Sequence, residues 1–236
     1  METRKLNPSH DTALTIFVGA SSKATNWENK ETTWSDLLNR CANTTKTKET
    51  LVQYLQMDKA KQSKIKDVGG FVGGYFATNG RRKKEGLIGR TVVTLDADNV
   101  KKDSNIWEGF KATFSFAACI YSTHKHTEEA PRLRIIIPLA DSTNVEQYEA
   151  VARYIADKIG MEYFDPTTFQ ASRLMFWPST PKDVDFFFDW QDGEILDPEE
   201  ILKKYKDWKD VSSWPMHKSE TPEAILNNKR KAPDPT

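Results

Sequence analysis

The stretch Thr91-Val92-Val93-Thr94-Leu95-Asp96-Ala97-Asp98-Asn99 decides how the rest of the chain is read. Its β-branched and aliphatic residues predict a strand over residues 91–96 that ends in carboxylates. Side chains two apart on a strand project to the same side, so Asp96 and Asp98 converge on one point. Left alone, adjacent carboxylates repel and one tends to take up a proton, whereas a hard divalent ion accepts oxygen from both. No soft ligand stands nearby, which makes magnesium or manganese the natural occupant. As local structure alone, Asp96-Ala97-Asp98-Asn99 is equally a strand-ending turn, because Asp and Asn favour turns.

Downstream, Tyr121-Ser122-Thr123-His124-Lys125-His126-Thr127 is followed by Pro131-Arg132-Leu133-Arg134-Ile135-Ile136-Ile137-Pro138. Strands over residues 118–124 and 132–138 with a short polar loop between them read as an antiparallel hairpin. Ser122 and His124 then share a face of the first strand, and Arg132 and Arg134 share a face of the second. If those faces coincide, they form a phosphate-binding surface, because guanidinium forks match phosphate oxygens and an imidazole adds a donor. A solvent-facing strand would show the same alternation. After a helix over Val145–Ile159, Phe164-Asp165-Pro166 offers a third carboxylate in a context that an Asp-Pro turn also explains. Arg173 opens an apolar strand over residues 173–177, placed either to reach a phosphate or to flank the core, and a last strand is expected over residues 186–190.

Upstream, residues 14–19 read as a strand and residues 34–41, 48–56 and 59–66 as helices. Gly69, Gly70, Gly73 and Gly74 lack the Gly-Lys-Ser/Thr of a phosphate loop and read either as a close backbone approach to a strand or to nucleic acid or as a flexible connector into the sheet. Arg81, Arg82, Lys83 and Lys84 are the densest basic run in the body of the chain, a candidate for template contact or simply a solvated surface. Strands interspersed with helices imply an α+β fold. We read one catalytic domain over residues 1–210, with an N-terminal α/β module to about residue 85 and a metal-binding sheet over about 86–210. Residues 211–236 are polar and punctuated by proline, as a linker toward a downstream region would be.

Composition narrows the function. The 34 lysines and arginines equal the 34 aspartates and glutamates, so nucleic-acid binding must use local patches rather than overall charge. No apolar run is long enough for a signal peptide core or a bilayer span, so no membrane partner is expected and the cytoplasm is the expected compartment. Cys41 and Cys119 have no metal-ligand spacing, which argues against zinc.

Taken in order, Asp-x-Asp, Ser-x-His and a later apolar-Asp resemble the motifs of the archaeo-eukaryotic primase superfamily. Phe71-Val72-Gly73-Gly74, Gly80-Arg81-Arg82-Lys83, Thr94-Leu95-Asp96-Ala97-Asp98-Asn99, Tyr121-Ser122-Thr123-His124, residues 131–139 and Ser172-Arg173-Leu174-Met175-Phe176-Trp177-Pro178 sharpen the likeness to primase-polymerase domains of phage and mobile-element replication proteins. The resemblance implies a catalytic fold with an RNA-recognition-like sheet. It implies that Asp96, Asp98 and Asp165 hold a pair of magnesium or manganese ions, and that Ser122 and His124 bind the phosphates of a nucleoside triphosphate. His126 lies beside the same motif, and spacing favours His124. Arg132, Arg134 and Arg173 join the nucleotide-binding set on charge and strand phase. A single-stranded DNA template, a bacterial host cell and a helicase region downstream are further implications.

Rival readings use the same residues. His124-Lys125-His126 with Tyr154 and Lys158 is compatible with a rolling-circle-type nicking endonuclease, although Lys125 stands where an apolar residue is usual. Asp96 as nucleophile and Asp98 as acid formally fit a haloacid-dehalogenase-like phosphatase, although that motif normally opens its domain and here lies mid-chain. A non-enzymatic single-strand-binding module would use the tryptophans for stacking.

Overall fold

The computed structural model describes residues 5–230. Strand β1 (Ala13–Gly19) pairs antiparallel with β2 (Glu28–Thr33), and α1 (Trp34–Cys41) starts at once because the Thr33 side chain accepts the Asp36 N–H. A short β3 (Thr45–Lys46) precedes α2 (Leu51–Gln56), which opens with a reciprocal Thr50–Gln53 capping box, and α3 (Lys59–Lys66), capped by Asp58. Then come β4 (Gly70–Val72), β5 (Gly74–Phe76), β6 (Leu87–Ala97), α4 (Ile106–Thr113), β7 (Ala118–Ser122) and β8 (Leu133–Thr143). The long α5 (Val145–Ile159) has a capping box at Asn144 and Gln147 and ends at Gly160, whose φ of 131° suits glycine. The chain continues through β9 (Met175–Phe176), β10 (Ser179–Thr180), β11 (Phe188–Gln191), α6 (Pro198–Leu202) and α7 (Pro222–Arg230).

The strands form a mixed α+β architecture with two antiparallel sheets. A five-stranded sheet runs β11-β7-β8-β6-β5 and a four-stranded sheet runs β2-β1-β4-β9. The period of two on β6 sorts its side chains. Val93, Leu95 and Ala97 join Ile135, Ile137 and Ile120 under α4 and α5. Val92 joins Ile136, Cys119 and Tyr121 against Leu14, Ile16, Trp34 and Phe71 of the N-terminal part. The central sheet is therefore covered on both faces, and Asp96 falls on the face toward the N-terminal part.

Dividing the chain near residue 85 does not separate two bodies. β5 enters the five-stranded sheet, β9 returns to pair with β4, and β10 pairs with β3. The glycine stretch that reads as a connector is the place where the sheets are stitched together. A Cβ on Gly74 would lie 2.1 Å from the Gly89 carbonyl oxygen, and one on Gly73 would lie 2.8 Å from the Val92 Cβ. Gly74→Ala is accordingly expected to destabilise the fold by about 3 kcal/mol in urea unfolding; an unchanged midpoint would show that the strands part easily.

The linker expected over residues 211–236 is corrected where it is described. Val211, Trp214 and Ile225 are buried, the Trp214 indole donates to the Trp208 carbonyl at 2.6 Å, and Glu220 reaches Arg153 on α5 at 2.8 Å. A few apolar anchors in a polar segment are enough to dock it, and composition averages them away. Residues 231–236 lie outside the described residues. Among the described residues no helix is long and apolar enough to cross a membrane.

Candidate active-site crevice

The sheet register assembles the site. Asp96 on β6 lies opposite Arg134 on β8, which lies opposite Tyr121 on β7. Arg134 donates from Nε and Nη2 to Asp96 Oδ1 at 3.2 and 3.0 Å, and from Nη1 to the Phe176 carbonyl at 2.9 Å and the Tyr121 hydroxyl at 3.3 Å. Burial works against the Arg134 charge, yet Asp96 and Tyr121 overcome it and hold its proton more tightly than usual. Asp98, just past the end of β6, pairs with Arg132 at 2.9 Å. Its carboxyl is pushed up by burial and by repulsion from Asp96, with Arg132 opposing.

Both carboxylates and both arginines line a crevice of about 80 Å³, closed by residues 176–179 and by His124. That is room for several waters or a phosphate group rather than a whole nucleotide. Lys66 from the end of α3 and Lys125 complete the lining, giving four cations against two carboxylates. Burial, then the neighbouring Arg134, lowers the proton affinity of Lys66. Such a surplus of donors in a partly enclosed site suits an anion.

The second motif is divided. Strand β7 ends at Ser122, so the expected alternation does not extend to His124. Ser122 pairs with Leu133, is fully buried, and its Oγ accepts the Phe187 backbone N–H at 3.0 Å, on the face away from Asp96. His124 does reach the crevice, but both ring nitrogens are engaged: Nδ1 with Ser179 Oγ at 2.9 Å and Nε2 with Glu49 Oε1 at 3.2 Å. The His126 Nδ1 accepts the Arg132 backbone N–H at 3.2 Å and shapes the loop. Asp165 is brought alongside Asp96 through backbone, its N–H donating to the Asp96 carbonyl at 3.2 Å. Its carboxylate instead accepts the Thr167 N–H and hydroxyl and lies 3.7 Å from Arg173. Arg173 thus flanks Asp165 rather than the crevice. Arg82 donates to the Ser172 carbonyl at 2.9 Å and stacks over Trp27, while Arg81, Lys83 and Lys84 are exposed.

These contacts decide how well a metal fits. Asp96 and Asp98 face one crevice, and the repulsion that raises the Asp98 proton affinity is what a divalent cation relieves. Among the described residues no group of three or more His, Cys, Asp and Glu side chains gathers as a metal cluster, so the expected three-carboxylate centre is not assembled. The pair fits one hard ion completed by water or phosphate oxygen, and Asp165 is committed to its own turn.

A model of the VapE N-terminal domain matches residues 1–217. The chain belongs to the VapE N-terminal domain family. No curated protein matches. Among solved structures, the AEP domain of the cyanophage S-2L primase-polymerase (PrimPol) is similar at 14% identity, over 62% of this chain and 76% of that one, with a TM-score of 0.43. A likeness that distant bears on neither activity nor site. The VapE N-terminal domain match runs past residue 210 and takes in the docked Trp214.

In this VapE N-terminal domain the residues that sequence reasoning missed are Glu49, Lys66, Tyr121 and Ser179. They come from four distant segments and carry no shared spacing; only their proximity and contacts in the completed fold reveal them. Burial lowers the proton affinity of both His124 and His126, with Glu49 opposing it at the former. A neutral folded imidazole whose unfolded counterpart titrates near about 6.5 makes stability fall as pH drops below that value, because the unfolded chain binds more protons. Asp98, shifted upward, acts in the opposite sense but only in the lower carboxylate range. The melting temperature is expected to fall by roughly a few degrees from pH 7 to pH 5.5. Replacing His124 and His126 together by glutamine should flatten that slope; an unchanged slope would assign it elsewhere.

Proposed function

We propose that this domain is the catalytic unit of a primase-polymerase of a phage or mobile element, transferring nucleotides from nucleoside triphosphates to a growing strand on a single-stranded DNA template. The observation that carries the reading is the crevice in which Asp96 and Asp98 face Lys66, Lys125, Arg132 and Arg134. The ordered motifs and the α+β fold with its antiparallel sheet support an archaeo-eukaryotic primase catalytic fold.

In the reaction, the 3′-oxygen of the strand end bonds to the α-phosphorus, the bond from that phosphorus to the bridging oxygen breaks, pyrophosphate leaves, and the hydroxyl proton passes to solvent. Asp96 and Asp98 would hold magnesium or manganese, which when bound lowers the pKa of the attacking hydroxyl and neutralises phosphate charge. A second ion of the pair would require the Asp165 carboxylate to leave its Thr167 turn. With a cation on the carboxylates, Arg132 and Arg134 would be free to meet phosphate oxygens with their forks. Lys66 and Lys125 add charge along the triphosphate, and Arg81, Lys83 and Lys84 offer exposed cations to template phosphates. Little covalent work falls to the protein, so positioning and electrostatics dominate. A helicase region, in the same full-length chain or as a partner, and a bacterial host cytoplasm complete the reading.

The rivals fit less of the geometry. His124 and His126 engage different partners, and Tyr154 lies against Tyr205 and Lys158. Four of the seven tryptophans are buried and none is exposed, which leaves little for base stacking.

The test is incorporation of labelled nucleotides on primed and unprimed single-stranded templates with magnesium or manganese. Asp96→Asn plus Asp98→Asn is expected to reduce incorporation at least about a hundredfold. Undiminished incorporation in the double variant would remove the crevice from the chemistry.

A further inference from the structure

We propose that Ser179, rather than Ser122, is the hydroxyl that meets the phosphates of the bound nucleotide, with His124 behind it and Glu49 behind His124 as a positioning residue. The inference rests on the crevice being the triphosphate site. Ser122 Oγ is spent on the Phe187 N–H on the other face, whereas Ser179 lines the crevice and lies 2.9 Å from His124 Nδ1. A carboxylate only accepts, so the Glu49 contact at 3.2 Å keeps hydrogen on His124 Nε2. Glu49 is itself fixed by the Thr47 hydroxyl, and the imidazole packs against the Tyr54 ring at 4.4 Å. Three segments distant in sequence thus hold one hydroxyl at the crevice wall.

The chemistry of the relay follows from donor counting. With the imidazole neutral, Nδ1 can only accept, so Ser179 turns its hydrogen inward and presents lone pairs to the crevice. When Nδ1 takes a proton it donates to Ser179 Oγ, and the hydroxyl hydrogen is released to donate to a phosphate oxygen in place of the Lys66 carbonyl, which lies 3.5 Å away. Anion binding and His124 protonation are thereby coupled through Ser179, and each strengthens the other. The groups around the ring are Glu49 ahead of α2, Tyr54 on α2, Lys66 at the end of α3 and the adjacent Lys125. Burial, then Lys66, oppose the proton, and Glu49 favours it. Phosphate affinity should therefore fall as pH rises through the His124 titration, and at lower pH when Glu49 loses its charge.

Calorimetric titration of the whole chain with ATP and with inorganic tripolyphosphate, in magnesium buffer from pH 5.5 to 8, tests this. Ser179→Ala is expected to weaken both ligands roughly ten- to a hundredfold and to flatten the pH dependence. Ser179→Thr should restore both, and Ser122→Ala should leave affinity unchanged. Glu49→Gln should keep the melting temperature near that of the parent while moving the fall in affinity to lower pH. Binding that is normal in Ser179→Ala, or a pH dependence that Glu49→Gln does not move, overturns the relay alone. If neither ligand binds the unaltered chain, the triphosphate reading of the crevice falls and the relay with it.

Discussion

Asp96→Ala is expected to cost the fold about 3–5 kcal/mol, measured as the loss of unfolding free energy in urea. The side chains of Asp96 and Arg134 are 12% and 6% exposed, and their contact at 3.0 Å is reinforced by a second bond from Arg134 Nε. Removing the carboxylate leaves a guanidinium with little access to water and only the Phe176 carbonyl and Tyr121 hydroxyl as acceptors. An uncompensated buried charge is far more costly than a lost surface pair, which is worth at most about 1 kcal/mol. A measured cost within that surface range would mean that water reaches Arg134 freely. The same reasoning makes asparagine the better replacement for chemical tests, because it retains an acceptor.

Ending the chain at Asp210 is expected to be at least as damaging. It removes Trp214, which is 4% exposed, and Glu220, which joins Glu149 in pairing Arg153, a residue 1% exposed. Loss of a buried tryptophan and of one partner of a buried arginine together amounts to at least about 5 kcal/mol, comparable with the whole stability of many domains. The shortened chain should unfold well below the full one in a thermal melt or fail to stay soluble. Glu220→Gln in the full chain isolates the ion pair and should lower the midpoint by a smaller amount. Equal melting curves for the shortened and full chains would restore the linker reading of residues 211–236.

The contrast between these residues and the rest shows what the sequence discloses. Helices α1, α3 and α5 were legible to the residue because capping side chains mark their starts, with apolar spacing marking the buried faces of α1 and α5 and helix-favouring residues filling α3. Strand β2, Glu-Asn-Lys-Glu-Thr-Thr, gives no period of two because it lies at a sheet edge with little to bury. Strands β4 and β5 hide among glycines whose missing side chains are the condition for close sheet contact. In the site, Asp96 and Arg134 were readable because regular strands transmit phase faithfully, and Asp98 follows just past the end of β6. Phase fails where a strand stops, which is why Ser122 and His124 part company. Glu49, Lys66 and Ser179 were illegible because proximity in the fold, not spacing, brings them together.

The most direct measurement of the central claim is a crystal structure with manganese and ATP, recorded so that manganese is located by its anomalous scattering. The account predicts manganese within about 2.0–2.2 Å of oxygens from both Asp96 and Asp98. It also predicts that Arg132 and Arg134 have turned from those carboxylates to the phosphates. Manganese bound elsewhere, or phosphates outside the crevice with the Asp96–Arg134 and Asp98–Arg132 pairs still closed, would contradict it.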